Sequence, residues 1–390
     1  MSLPRPSADG PSADDSFGSA RAIRREALQL CALVLMAVAA FFVTRALAVS
    51  NREMSLRDAA EWYARGQGEL SAGHVGQAVD AFRRATVRDR TNKGYALALA
   101  RALGRDGSRD AARAALLALR ESAPEDREVN LELARLAAQD RDVSAAVQFY
   151  HSALYAPWDA GQEAARRDVR VELIQFLLAS DQRSRAQAEL FALSSDLPND
   201  VPHHLQAGQL FARTGDQARA LEQFQLALRL EPANEDAVNG AGLAAFSLGD
   251  YSQAQRLLHQ TSGGSADLRA TRELVDLVIA SDPWAGRIGS AERRRRLLSD
   301  LSYAQTRLQA CLARDPAAQS VPDLSALAAD AQTFVDQLPS RGYGLEQDTI
   351  ENGFDVIARI ERRMQDSCGP STPRDRALML IARQHGGDPR

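Results

Sequence analysis

The sequence predicts an all-α protein: paired helices stacked one behind another, led by a single long apolar helix. Three observations carry this expectation. Alanine, leucine, arginine, glutamate and glutamine dominate, aromatics are few, and Val/Ile/Thr-rich runs bounded by turn residues are nearly absent. Small and aromatic residues recur along the chain at an interval of 34 residues. Residues 27 to 44 read ALQLCALVLMAVAAFFVT, a stretch without a charge. At 390 residues the chain exceeds what one compact core organises, so two or more structural units are expected.

Met1 to Ala20 is rich in Ser, Pro, Asp and Gly, and residues 1–25 are expected to form an unstructured tail. Residues 26–50 are expected to form a transmembrane helix, with Arg45 able to snorkel to the headgroups. Arg21, Arg24 and Arg25 place the N-terminus in the cytoplasm and the rest of a single-pass inner (plasma) membrane protein outside, while Arg45 and Arg52 weigh on the other flank. Ala46-Leu47-Ala48 also fits a signal-peptidase site, so a cleaved signal stands as the alternative, although the apolar run is longer than a usual signal core. A buried core helix is the third reading, disfavoured by an apolar surface all round.

Residues 55–264 carry the repeats. In the first, Ala59, Trp62, Gly66, Ala78, Phe82 and Ala85 mark two helices. One interval on come Ala96, Leu99, Leu103, Ala112, Leu116 and Pro124, and then Leu133, Ala134, Ala146, Tyr150 and Ala153, with Pro157 one residue early. An insertion around Gly161 to Arg166 breaks the phase, which Leu173, Leu177, Ala186, Leu190 and Pro198 resume. Ala207, Gly208, Phe211, Ala220, Phe224, Ala227 and Pro232 form the most complete unit, followed by Ala241, Gly242, Ala245, Ala254 and Leu258.

These slots resemble the tetratricopeptide repeat family, which fills them with W, G, A, F and A, and about six units are counted. The resemblance implies a superhelix with one concave face that binds a protein or peptide. It also implies that the fifth position of each first helix faces the groove, giving Tyr63, Leu97, Leu131, Val171, Leu205 and Asn239. The ninth gives Gln67, Arg101, Arg135, Gln175, Gln209 and Leu243, and Arg105 and Arg213 extend this polar, partly cationic row. An apolar row beside a cationic one suits a segment that presents a hydrophobic edge and carboxylates. The bland alternative is a solvated face whose arginines pair with nearby glutamates. The family's Lys and Asn set for clamping a C-terminal carboxylate is not found at the groove positions.

Residues 265–284 read as a capping helix and residues 285–390 as a small helical bundle that the resemblance does not cover. Leu297, Leu301, Ala304 and Leu308 mark its first helix, Leu324, Leu327, Ala331 and Phe334 its second, Ile350, Phe354, Ile357, Ile360 and Met364 its third, and Leu378 to Ile381 a short last one. Arg293 to Arg296 are expected to form a solvated face paired with Glu292 and Asp300. Cys311 and Cys368 meet, and are expected to form a disulfide, if their helices pack antiparallel.

The net charge of −4, with arginines interleaved among carboxylates and Lys93 the only lysine, argues against nucleic acid as partner. The six histidines lack metal-ligand spacing, and no phosphate loop or nucleophile elbow is present. The expectation is therefore a membrane-anchored scaffold for assembling a bacterial envelope or secretion complex, with no cofactor, no metal, no small-molecule substrate and no enzymatic activity. The alternatives are an enzyme with its site in the C-terminal bundle and a cytoplasm-facing adaptor.

Overall fold

The computed structural model describes residues 14–314, 322–338, 345–367 and 371–385, and the described residues form helices without a strand. They divide into two compact units, residues 1–169 and 170–390.

In the first unit, α1 (Asp14–Ser71) is one unbroken helix of 58 residues that includes the apolar run, Ala46 to Ala48 and the first helix of the first repeat. Residues 14–25 are thus helical where composition suggested a tail; Ser16 to Arg25 contains no proline and favours helix once the apolar run has nucleated it. Residues 1–13 lie outside the described residues. No Pro or Gly separates Asn51 from Ala64, so nothing stops the helix where the sequence reading ended the transmembrane segment. Leu33, Val34, Leu35, Met36, Phe41 and Phe42 are exposed, which removes the buried-core-helix reading. By length and apolarity the segment meets the requirement for a membrane span, and equally for a signal sequence.

Helix pairs follow: α2 (Val75–Arg88) completes the first repeat, α3 (Lys93–Arg105) and α4 (Arg109–Ser122) form the second, and α5 (Arg127–Gln139) and α6 (Val143–Tyr155) the third. Their helix starts were set by short polar side chains: Asn92, Asp126 and Asp142 each accept the backbone N–H three residues on. Phe82, Leu97, Leu103, Leu116 and Leu133 share one core. Polar contacts tie the helices together within and between repeats. Within the first, Ser55 Oγ donates to the Arg88 carbonyl at 3.0 Å; between successive repeats, Lys93 pairs with Asp126 and Arg109 reaches Asp140 at 3.3 Å.

The second unit continues with α8 (Arg183–Ser194), α9 (Val201–Thr214), α10 (Gln217–Leu230), α11 (Glu235–Ser247) and α12 (Tyr251–Leu258), after α7 (Glu163–Ala179). Small residues decide the spacing of these helices. A Cβ on Gly208 would stand 2.7 Å from the Phe224 ring and one on Gly240 2.6 Å, so the ring of α10 is clamped between the backbones of α9 and α11.

The turn inside each repeat confirms the phase independently of side-chain pattern. Its left-handed residue recurs at Gly73, Gly107, Arg141, Asp181, Gly215 and Gly249, at intervals of 34 except one of 40. The longer interval contains the predicted insertion, which forms the loop from Ala156 to Gln162 and then adds a first turn to α7.

Beyond α12 come α13 (Ala266–Ser281), capped by Ser265, then α14 (Ser290–Arg314), α15 (Pro322–Gln337), α16 (Gln347–Ser367) and α17 (Pro373–His385). α13 covers the segment expected to cap the stack. Leu268 and Val275 of α13 pack on Ala254 and Leu258, while Leu274 and Val278 belong to the core formed by Leu301, Leu308, Ile357, Met364 and Ile381. One helix therefore presents two apolar stripes, to the last repeat and to the bundle. Cys311 is disulfide-bonded, Cys31 is free and exposed, and Cys368 lies outside the described residues.

Candidate protein-binding site

The first unit brings three of the expected groove arginines to one place. Arg101 and Arg105 stand one turn apart on α3, and Arg135 stands on α5, around a cleft of about 430 Å³ floored by Ala100, Gly104, Leu116 and Leu136. Glu132 joins the two helices: its Oε1 accepts from Arg101 Nε at 2.8 Å and from an Arg135 Nη at 3.2 Å. The Glu132 side chain is largely buried while Arg101 and Arg135 keep 41% of theirs exposed, so the carboxylate acts as a post that orients two guanidiniums toward solvent. A guanidinium presents its N–H donors in a planar fork that matches the geometry of a carboxylate. The cleft thus combines three cations with one anion over an apolar floor, a surface suited to carboxylate-bearing chain.

The fifth-position row behaves differently from the expected apolar strip. Leu97 is 2% exposed and belongs to the core, and Val171 is buried as well. Tyr63 is half-buried with its ring 5.6 Å from Phe82 and 4.9 Å from Tyr95, and Leu131 and Leu205 are also half-buried. In the first unit Leu97 shares a core with Leu133 and Leu136 of the next first helix, so there the position joins repeats more than it meets solvent. The ninth-position row is the open one: Gln67 and Arg101 in the first unit, and Gln175, Gln209 and Leu243 in the second, are exposed. Arg213 stands one turn from Gln209 on α9 and is exposed too.

Two polar residues on these helices are structural. His204 is buried, with Nδ1 2.9 Å from Gln223 Oε1 and Nε2 3.1 Å from Asn199 Oδ1. Asn130 holds the corresponding place on α5, donating to the carbonyls of Pro124 and Asp126 and accepting from Arg120 Nε at 3.0 Å. Trp62 lies under Arg84, 4.4 Å from its ring centroid.

In the bundle, Arg295 and Arg296 pair with Glu292 at 2.6 and 2.9 Å, as expected, and the two guanidiniums hold the Glu292 carboxyl down at about 2. Asp300 departs from the expectation: it is buried and bonded to Arg374 at 2.8 Å instead. It belongs to an acidic group that the sequence reading missed. Glu361 and Asp375 are buried, Arg307 pairs with Asp375, and Tyr303 donates to Asp375 Oδ1 at 2.9 Å. Burial pushes the carboxyls of Asp300 and Glu361 up, against the pull of Arg374 and Arg307 respectively. The signal was present: Asp300 sits between Leu297 and Ala304 at helical spacing, and Glu361 between Ile357 and Met364, each on an apolar stripe. Among the described residues no group of three or more metal-ligating side chains is placed to hold an ion.

No family model matches the chain, and no curated protein matches it. Solved structures do. YrrB, described as a TPR protein with an unusual peptide-binding site, aligns at 19% identity over 47% of this chain and 91% of its own, with a TM-score of 0.37. A tetratricopeptide repeat protein from Parabacteroides merdae aligns at 12% identity over 77% of this chain and 99% of its own, with a TM-score of 0.39. PilF of Pseudomonas aeruginosa aligns at 16% identity over 57% of this chain and 98% of its own, also with a TM-score of 0.39. The fold rests on the chain's own geometry: helix pairs in a 34-residue phase, with phenylalanine rings seated on glycines of the first helices, make a tetratricopeptide-type helical repeat fold, and a long apolar helix leads into the first pair.

Proposed function

We propose that the chain is a membrane-anchored scaffold that holds a partner protein by an acidic segment laid across the α3–α5 cleft. One observation carries this reading: Arg101, Arg105 and Arg135 converge on an apolar floor with Glu132 as their shared post. Isolated surface arginines contribute little, but a group oriented by a part-buried carboxylate loses less side-chain entropy when it closes on a ligand. The apolar part of α1 serves as a retained anchor, supported by helical backbone that continues unbroken through Ala46 to Ala48 into the first repeat. Arg21, Arg24 and Arg25 support an orientation with the repeats outside the cytoplasm, in an inner (plasma) membrane. The physiological setting proposed is assembly of a bacterial envelope or secretion complex, with the scaffold doing no chemistry of its own.

The test is Arg101→Glu together with Arg135→Glu. Partner capture is expected to fall at least thirty-fold, about 2 kcal/mol, with helical content unchanged by circular dichroism. Unchanged capture by the folded double variant removes the cleft from the account. Fusions of a cytoplasm-active and an exterior-active reporter to the C-terminus test the orientation.

A further inference from the structure

A second basic cluster lies where α1 leaves its apolar run. The loop after α2 comes back to this point, pinned by the Ser55 hydrogen bond to the Arg88 carbonyl. Ala48, Asn51, Arg52, Ser55 and Leu56 of α1 and Arg88 to Thr91 of the loop surround an open depression of about 510 Å³. Arg45 stands two turns before Arg52 on the same face of α1. The cluster's own carboxylate is occupied: Asp89 Oδ1 accepts from the Thr91 hydroxyl at 2.7 Å and the Thr91 amide at 3.1 Å. Asp58 stands 4.0 Å from Arg88, at the limit of an ion pair. Arg52, Arg88 and Arg90 are exposed, and so are apolar Val87 at 61%, Met54 at 55% and Leu56 at 39%. Exposed apolar side chains interleaved with arginines on one surface are the composition of a membrane interface.

The position agrees. Counted from Ala27, about 20 helical residues cross the hydrocarbon core and end near Ala46. At about 1.5 Å per residue, Arg52 and Ser55 then lie roughly 9 to 14 Å beyond the core boundary, just outside a headgroup layer about 5–8 Å deep, from where long arginine side chains reach back to the phosphates, and the loop lies beside them.

We infer that Arg45, Arg52, Arg88 and Arg90 form a collar that binds the phosphates of anionic phospholipids in the leaflet that α1 enters, docking the first repeat against the bilayer. This rests on the anchor reading above. The collar gives that anchor a fixed pose: one helix alone swivels, whereas a helix plus a loop touching the same surface sets which way the first repeat faces.

The test uses the full chain in vesicles of phosphatidylcholine alone or with about one third phosphatidylglycerol. Flotation reports the anchor; amide hydrogen exchange over residues 87–92 reports the collar. The expected result is flotation with both lipids, and exchange slowed at least five-fold only when phosphatidylglycerol is present. Arg52→Gln/Arg88→Gln/Arg90→Gln should float equally and lose the slowing, and the triple Lys variant should retain most of it. Flotation with exchange indifferent to lipid charge overturns the collar and leaves the anchor standing. Failure to float overturns both. Equal slowing by inorganic phosphate added to neutral vesicles also overturns it, because the site would then take a soluble anion and not a lipid surface.

Discussion

Replacing Gly208 by alanine should destabilise the second unit, whereas replacing Gly68 by alanine should stabilise the first. Both glycines are helical, so each substitution gains about 1 kcal/mol of helix propensity. They differ in what the new methyl meets. Around Gly68 nothing lies within 4 Å; at Gly208 three atoms of the Phe224 ring stand at 2.7, 2.9 and 2.9 Å. Carbon atoms rest at about 3.5–4.0 Å, so the ring must move by the better part of an ångström. It has no room to do so, because the backbone of Gly240 closes the opposite side, where a Cβ would stand 2.6 Å away. Overpacking of this kind costs about 1–3 kcal/mol, which leaves Gly208→Ala neutral to about 2 kcal/mol destabilised and Gly68→Ala about 1 kcal/mol stabilised. Urea unfolding followed at 222 nm, with amide exchange of α9 and α10 as the local readout, measures both, since a repeat array need not unfold in one step. If Gly208→Ala gains as much stability as Gly68→Ala, the close approach of α9 to α10 is wrong.

Other outcomes follow from the same geometry. Phe224→Ala should cost about 3–5 kcal/mol in the same assay, since a nearly fully buried ring leaves a cavity between two backbones. Arg141→Gly should raise stability by up to about 1 kcal/mol, because an arginine holds the left-handed turn position (φ 59°) that glycine fills in other repeats; a loss of stability would contradict the turn assignment. Two buried acids of the second unit and Asp126 of the first should contribute pH responses of opposite sign. Asp300 and Glu361 have raised folded values, so they take up protons on folding, and their contribution to stability is lost as pH rises from the ordinary carboxyl range through those raised values. Glu361→Gln should flatten that fall. Asp126 is lowered, with Lys93 and the Val129 amide outweighing the effect of burial, so its contribution is present above the ordinary aspartate value and lost as pH falls through the folded one. Calorimetry across that range checks both signs. Non-reduced peptide mapping should recover Cys311 joined to Cys368; two alkylated thiols would refute the proposed pairing.

Much of the fold was legible because two local signals agree with the interval. Capping residues such as Asp126, Asp200, Asp216, Asn234 and Asp250 accept from amides three residues on, and small residues mark where helices touch. Both are short-range chemistry that a sequence displays directly. The continuity of α1 was not legible, because an abrupt change from apolar to charged composition at Arg52 suggests a boundary that the backbone has no reason to make. Of the cleft, Arg101 and Arg135 lie at offsets that the family resemblance singles out, but the burial of Leu97 was not legible: it depends on how closely the next first helix lies, a tertiary distance. Glu132 was passed over for a related reason. Its role is to stand between Arg101 and Arg135, and that betweenness exists only once two repeats are stacked.

The most direct measurement is photocrosslinking in intact membranes from a benzoylphenylalanine placed at Arg105, on the cleft, and at Ala114, on the exposed side of α4, with the captured peptide sequenced. The account predicts that the cleft position captures one defined segment rich in Asp and Glu, that Ala114 does not, and that Arg101→Glu/Arg135→Glu abolishes the adduct. A captured segment without acidic residues, or equal capture from Ala114, would contradict it.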